Sequence, residues 1–227
     1  MAGAGLRRAR RDDLIGLPVD VAPRLLGGHL TTVVDGDTVT VRLTEVEAYH
    51  GRGTGALADP GSHARMGPTA RNATMWGEPG HLYVYLSHGI HSCVNVVCGP
   101  DGVAGGILLR GGEIVRGVDA ATRRRPAART ARDLARGPGR LGDAVGLRHP
   151  VHDGIDAITA APHHGAVAWL ELREHPLAQV AAGPRVGVAG VAGTAAFPWR
   201  FWIAGDPTVS PFRWGRGAQA AADPLGR

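Results

Sequence analysis

Two glutamates near the end of one predicted strand could supply a general base. Glu45 and Glu47 end a Val- and Thr-rich stretch, residues 29–50. The apolar residues before them fall at alternate positions: Val39, Val41 and Leu43. Because side chains alternate faces along a strand, we expect both glutamates and Tyr49 to continue this apolar face. A carboxylate held between burial and a nearby cation can take a proton from water. Periodicity does not choose between the two, and a solvated strand end is the alternative for both.

The rings of several tyrosines and histidines are the second feature that could take part in a functional site. Five lie in or next to segments predicted to be loops: Tyr49, His63, Tyr85, His88 and His91. Such rings can stack on an unpaired base, which is worth about 1–3 kcal/mol per base. Tyr83 shares a predicted strand face with Tyr85, and we interpret it as a core residue.

The spacing of the remaining histidines and of the two cysteines does not indicate a metal site. Neither an H-E-x-x-H motif nor paired Cys/His spacing occurs, and Cys93 and Cys98 stand without further ligands in sequence. So few cysteines favour a reducing, cytoplasmic setting. The sequence shows neither a signal peptide pattern nor an apolar run long enough to cross a membrane.

The charge favours an anionic partner such as nucleic acid. The formal net charge is +5, and every basic residue other than histidine is arginine. Schiff-base chemistry needs an amine such as that of lysine, and no lysine occurs. An enzyme with this sequence should therefore work without a lysine-linked covalent intermediate.

The pattern of elements predicts one α+β domain with a largely antiparallel sheet flanked by helices. Helical patterns cover residues 14–26, 113–122 and 129–147, and strand patterns cover 29–50, 81–110, 167–174, 182–190 and 199–205. The Asp35-Gly36 pair predicts a tight hairpin turn, and residues 51–72 are loop-like. We place the domain at residues 12–205, between a basic flexible arm (1–11) and a C-terminal segment and tail (206–227).

Six segments, in this order, resemble the alkyladenine family of 3-methyladenine DNA glycosylases. They are TEVEAY (44–49), SHARMGPTARN (62–72), GHLYVYLSHGIHSCVNVV (80–97), ILLR (107–110), GPGRL (137–141) and PRVGV (184–188). The resemblance implies a curved antiparallel sheet, no cofactor, no metal, and base excision repair of alkylated purines. It implies as partner double-stranded DNA that contains damaged purines, without a membrane, and a monomeric protein on a bacterial nucleoid.

The resemblance also implies the roles of individual residues. Glu47 matches the family's catalytic base, and Arg110 with the backbone carbonyl of Val186 matches the other two partners of the attacking water. Tyr49, His63 and Tyr85 match residues that sandwich the flipped base. Asn95 matches an asparagine that helps to exclude normal guanine.

One position departs from the family pattern. His88 stands where the family usually has a tyrosine that fills the gap left by the flipped nucleotide. A smaller ring should fill that gap less well, which lowers the population of the flipped state. We expect His88, Ile90 and His91 to enter the minor groove and Arg71 to contact DNA.

Two other functions remain as alternatives. A non-catalytic lesion-binding protein with the same fold would explain the altered wedge at His88, although Glu47, Arg110 and Asn95 argue against it. A nuclease would need a carboxylate cluster for metal ions, which the sequence does not show.

Overall fold

A computed structural model of the chain describes residues 5–52 and 58–223. The strands are β1 (Leu6–Arg8), β2 (His29–Val34), β3 (Asp37–His50), β4 (His81–Ser87), β5 (His91–Val97), β6 (Gly105–Arg116), β7 (Ala135–Arg136), β8 (Ile155–Asp156), β9 (Ala166–Arg173), β10 (Ala181–Gly183) and β11 (Arg200–Trp202). The helices are α1 (Pro18–Leu25), α2 (Val118–Arg124), α3 (Pro138–Val145) and α4 (Ala218–Ala222), and 3₁₀ turns cover Arg11–Leu14, Ala73–Trp76, Ala131–Asp133 and Gly190–Gly193.

The strands form one strongly curled, antiparallel sheet in the order β1-β9-β2-β3-β6-β5-β4-β8. β11 pairs with β3, β10 with β11, and β7 with β6. Helices α1, α2 and α3 pack on this sheet around one large apolar core, which includes Leu25, Val46, Leu109 and Leu141. The protein is thus a single α+β domain, as predicted.

The first hairpin has the predicted turn. β2 pairs with β3 along its whole length, and the two residues between them, Asp35 and Gly36, have φ of 54° and 80°. Positive φ at both positions is the type I′ geometry, which matches the twist of the two strands. A long, stable β3 follows, and β3 carries both candidate glutamates.

Four predicted segments differ from the structure. The helix predicted over residues 129–147 is α-helical only at Pro138–Val145, because β7 pairs with β6 before it. The helix predicted over residues 113–122 begins only at Val118, because β6 continues to Arg116 and pairs there with Thr40. The strand predicted over 182–190 ends at Gly183, because the proline that follows has no N–H for a ladder. The arm predicted as flexible is a strand at Leu6–Arg8, which pairs with β9. Residues 1–4, 53–57 and 224–227 of the predicted arm, loop and tail lie outside the described part.

A pair of compensating β-bulges interrupts the ladder between β3 and β6. Leu43 pairs with Gly112, Glu45 with Gly111 and Val46 with Leu109, so Thr44 is extra on β3 and Arg110 is extra on β6. The consecutive residues Thr44 and Glu45 consequently contact the same neighbouring segment, through Thr208 and Ser210.

The expected alternation is therefore wrong at this point, because a bulge shifts the phase of a strand. Leu43, Val46 and Ala48 all belong to the large core, whereas Glu45, Glu47 and Tyr49 lie on the other face.

Candidate active site

Glu47 is fully buried and is held by two hydrogen-bond donors and one ion pair. The backbone N–H of Val186 donates to Oε1 at 2.7 Å, and the Tyr49 hydroxyl donates to Oε2 at 2.8 Å. Nε of Arg110 lies 3.5 Å from Oε1. A buried carboxylate needs such partners, and here they fix its orientation.

Glu45 is also fully buried, but its contacts differ from those of Glu47. Nε of Arg200 donates to Oε1 at 2.6 Å, and Ser210 donates through its backbone N–H at 2.7 Å and its hydroxyl at 3.0 Å. Nε of Arg110 lies 3.1 Å away. With two arginines and one serine around it, Glu45 ties β11 and residue 210 to β3. These contacts suit a structural role for Glu45. The structure therefore distinguishes Glu45 from Glu47, which the periodicity of the sequence could not do.

Arg110 is the cation between the two carboxylates. It is the bulged residue of β6, and bulges commonly redirect a side chain next to an active site. Burial opposes its charge, but the carboxylates of Glu47 and Glu45 outweigh burial and raise the pKa of Arg110. The guanidinium is held further by the Ser210 hydroxyl, at 3.2 Å from Nε. Arg110 therefore stays charged beside Glu47.

A second arginine, Arg185, lies beneath Tyr49. Its guanidinium carbon is 4.5 Å from the centre of the Tyr49 ring, within cation–π range. Both terminal nitrogens bind the buried carboxylate of Asp59, at 2.8 and 2.7 Å. Burial and the nearby Glu47 carboxylate raise the pKa of Tyr49, so its phenol remains protonated and can donate to Glu47.

Residues Arg185, Asp59 and Ser210 were not predicted from the sequence as parts of the site. Arg185 precedes Val186 in the PRVGV motif, and that position was a usable signal. The other two are ordinary loop residues in sequence, so only their contacts reveal them.

The predicted aromatic residues lie together on β4 and in the adjacent loop. The rings of His63 and Tyr85 meet edge to face with centroids 4.7 Å apart, and Tyr85 stacks on Tyr83 at 5.4 Å. Tyr83 is buried in a second, smaller apolar cluster, as interpreted from the sequence. Partial desolvation of the His63 ring, together with the positive charge of Arg65, lowers the pKa of His63. His63 is consequently uncharged at neutral pH.

Asn95 lies in the same row of the sheet as Glu47. Glu47 pairs with Leu108, and Leu108 pairs with Asn95 on the next strand. The Asn95 amide nitrogen donates to the carbonyl oxygen of Tyr83 at 3.1 Å, and the residue is buried. Its side chain is thereby fixed between the aromatic residues and the glutamate.

The turn between β4 and β5 projects three of the predicted DNA-binding residues into solvent. His88 and Gly89 have φ of 51° and 70°, and Ile90 N–H donates to Ser87 O at 3.0 Å, which closes a tight turn. Histidine is among the residue types enriched at positive φ. Ile90 is 73% exposed, so the apolar tip of the turn is Ile90, with His88 and His91 exposed on either side.

Arg71 is not part of this turn. It lies exposed in the loop before Ala73–Trp76, five residues after another exposed apolar side chain, Met66. Met66 carried no prediction, and its 78% exposure makes it a second apolar tip on the protein.

Among residues 5–52 and 58–223, neither a cluster of three potential metal ligands nor a helix that could span a membrane is found.

Comparison with known proteins identifies the family. A family model described as methylpurine-DNA glycosylase matches residues 15–207. Relatives from Leifsonia xyli subsp. xyli and Nocardia farcinica are each 48% identical over 212 residues, covering 92% and 93% of this chain and 94% of each relative. One from Streptomyces avermitilis is 48% identical over 195 residues, covering 86% of this chain and 87% of its own. All three carry the name 3-methyladenine DNA glycosylase as a provisional assignment. The chain therefore belongs to the methylpurine-DNA glycosylase family, whose members are DNA repair enzymes.

Proposed function

We propose that this DNA glycosylase acts on double-stranded DNA by flipping an alkylated purine and hydrolysing its N-glycosidic bond. Glu47 activates the attacking water, and the reaction opens base excision repair. The proposed substrates are 3-methyladenine and 7-methylguanine, and hypoxanthine is the neutral purine that tests how far the range of the site extends. The observation that carries the proposal is the buried Glu47 carboxylate, oriented by Val186 N–H and Tyr49 and adjacent to Arg110.

The chemistry follows from the charges at this carboxylate. Glu47 takes a proton from water as the oxygen attacks the anomeric carbon, and the C–N bond breaks with its electron pair leaving on the purine. The negative charge of Glu47 also stabilises the oxocarbenium character that develops on the sugar. A purine alkylated at N3 or N7 already bears a positive charge, so it leaves without prior protonation.

The base is held by the aromatic residues around the glutamate. Tyr49, His63 and Tyr85 offer ring faces and edges to a cationic purine, and such contacts are favourable for electron-rich rings. Asn95 would obstruct the exocyclic amino group of guanine. Because His63 is uncharged at neutral pH, its part is contact with the base rather than protonation of a neutral base such as hypoxanthine.

The turn between β4 and β5 would stabilise DNA in which the damaged nucleotide is flipped out of the duplex. Vacating a base stack costs a few kcal/mol, and a side chain that fills the gap offsets part of that cost. His88, Ile90 and His91 are exposed at the tip and would enter the minor groove, while Arg71 contacts the backbone.

Oligonucleotide duplexes that each contain one modified purine test this function. Single-turnover assays should detect abasic sites with 3-methyladenine and 7-methylguanine and none with undamaged duplex, and the assay with hypoxanthine decides whether a neutral base is also released. Addition of EDTA should not change the rates, because the proposed chemistry uses water and a carboxylate. Tight binding to the lesions without any base release would instead identify a lesion-binding protein.

A further inference from the structure

Residues 211–217, which we name the rim segment, form an exposed strip of alternating aromatic and basic side chains. Phe212 is 36% exposed and Trp214 is 41% exposed, and their rings meet edge to face at 4.9 Å. Arg213 and Arg216 are exposed as well. The sequence has no acidic residue between Asp206 and Asp223, so this strip presents uncompensated positive charge.

The backbone of the rim segment is fixed although its side chains are exposed. Gly187 N–H donates to the carbonyl oxygen of Arg213 at 2.9 Å, and Gly190 N–H donates to that of Arg216 at 3.0 Å. A Cβ atom at residue 215 would overlap the carbonyl of Val188, so glycine permits this close approach. A fixed backbone limits the entropy that a binding event would cost.

The rim segment begins at the candidate active site. Ser210, the residue before it, donates to Glu45 and contacts Arg110. The loop on which the segment packs contains Val186, whose N–H donates to Glu47. DNA with a nucleotide placed at Glu47 must therefore pass close to residues 211–217.

A second connection leads from the rim segment towards the turn at His88. Arg136 donates to the carbonyl oxygen of Val209 at 2.8 Å. Three residues further along the chain, Gly139 at the start of α3 lies against the side chain of His91. The rim segment and the turn thus border the same site, and Arg136, Arg140 and Arg132 add positive charge in this region.

We propose that the rim segment binds the sugar–phosphate backbone of duplex DNA beside the active site. Arg213 and Arg216 contact phosphates, and Phe212 and Trp214 pack against deoxyribose. This inference rests on the proposed function and extends the DNA-binding surface beyond the region that the family model matches, which ends at residue 207. The occupant is DNA because the strip is basic and adjoins the place where DNA must lie.

Salt dependence of binding to undamaged duplex tests the inference. The double variant Arg213→Ala/Arg216→Ala removes the two cations, and Arg116→Ala/Arg123→Ala is the matched control. The control removes two exposed arginines at the opposite end of β3, where they lie at Thr40 and Asp37. Thermal unfolding of both variants identifies any general loss of structure.

Each phosphate contact contributes about 0.9 to the slope of log affinity against log salt concentration. The rim variant should therefore have a slope smaller by about 2 than wild type. When the salt concentration is raised from about 50 to 200 mM, the affinity of both proteins for DNA falls. The fold-loss of wild type should be roughly 12 times the fold-loss of the rim variant. The control should keep the wild-type slope, and Phe212→Ala/Trp214→Ala should weaken binding without changing the slope.

Equal slopes for the rim variant and the control would overturn the inference. So would a monomer–dimer shift in Phe212→Ala/Trp214→Ala with unchanged DNA affinity, because it would assign the strip to a second copy of the chain. Failure of the proposed function gives a different result from failure of this inference. If the proposed function is wrong, wild type releases no base from any lesion. The salt slopes measured on undamaged duplex still decide whether the rim segment binds DNA.

Discussion

Glu45 and Glu47 share one cation, because Nε of Arg110 lies 3.1 Å from Oε1 of Glu45 and 3.5 Å from Oε1 of Glu47. The two carboxylates are nevertheless not equivalent. Glu45 has a second arginine, Arg200, and two donors from Ser210, whereas Glu47 has a phenol and one backbone N–H. Substitution of the two glutamates should therefore have different effects.

Glu47→Gln should abolish most catalysis while the protein remains folded. Loss of a general base typically reduces a rate about 10²–10⁴-fold, so single-turnover release of 7-methylguanine should fall at least about 100-fold. The amide oxygen can still accept the hydrogen bond from Val186 N–H, and the amide nitrogen can donate to the Tyr49 hydroxyl oxygen, so lesion binding should persist. A native rate of base release in this variant would refute the assignment of Glu47.

Glu45→Gln should act mainly on stability. It removes the carboxylate that pairs with the buried Arg200 and one of the two that pair with Arg110, and breaking a buried ion pair costs about 3–5 kcal/mol of unfolding free energy. Urea denaturation measures this loss. If Glu45→Gln unfolds like wild type but releases no base, then Glu45 and not Glu47 is the general base, and the two assignments are reversed.

Arg185→Met should destabilise the protein by a similar amount, because it leaves the fully buried Asp59 carboxylate without its cation. Arg123→Met is the matched control, since it breaks an exposed pair with Asp37 that should be worth less than about 1 kcal/mol. Chemical denaturation of both variants gives the comparison. Similar losses in the two variants would contradict the anchoring role of Arg185.

His88→Tyr should raise the fraction of flipped nucleotide, because a larger ring fills the vacated stack better. The positive φ at this position should cost a tyrosine about 1 kcal/mol of stability. A fluorescent base analogue opposite the turn reports flipping. His88→Gly is the control, because it relieves the backbone but removes the ring, and it should flip least. An unchanged or lower signal in His88→Tyr would count against the wedge.

His50 should make the protein sensitive to acid. It is fully buried against Trp199, neither ring nitrogen has a partner among the described residues, and burial lowers its pKa to about 4. Between the ordinary value of about 6.5 and about 4, the unfolded chain binds a proton that the folded protein does not. Stability should therefore fall as the pH falls through this range.

The variant His50→Phe tests that account. Its ring can keep the contact with Trp199 but cannot take up a proton, so its melting temperature should decline less than that of wild type between pH 7 and pH 4.5. Parallel declines in the two proteins would show that other groups cause the acid sensitivity.

Much of the fold could be predicted because its signals are local. The Asp35-Gly36 turn and the alternating residues of β9 are contained in short windows of sequence. The limits of β6 and of the 182–190 strand were missed, because pairing partners far along the chain decide where a strand ends. Arg116 stays in β6 since Thr40 pairs with it, and a helical pattern over residues 113–122 does not reveal that partner.

The candidate site was predictable mainly through motifs. Position in the TEVEAY, ILLR and PRVGV segments selected Glu47, Arg110 and Val186, and the structure brings these three together. Alternation predicted the wrong face of the sheet for Glu47, because the sequence of residues 43–46 contains no local signal for a bulge. Asp59 and Ser210 were missed because their importance lies entirely in contacts with Arg185 and Glu45, each more than 100 residues away.

The compensating bulges have a consequence for how this sheet can change. Since one extra residue on β3 is balanced by one on β6, Val41–Leu43 and the residues from Val46 onwards pair with β6 in the same register. Deletion of Thr44 alone would restore alternation along β3 and keep Glu47 and Tyr49 on their present face, but the bulge at Arg110 would then be uncompensated and would offset the two strands by one residue on one side of it. Simultaneous removal of one residue from each strand would restore a regular ladder that has no place for Arg110 between the carboxylates. The position of Arg110 beside the two carboxylates thus depends on two extra residues, one on each strand, that must be retained together.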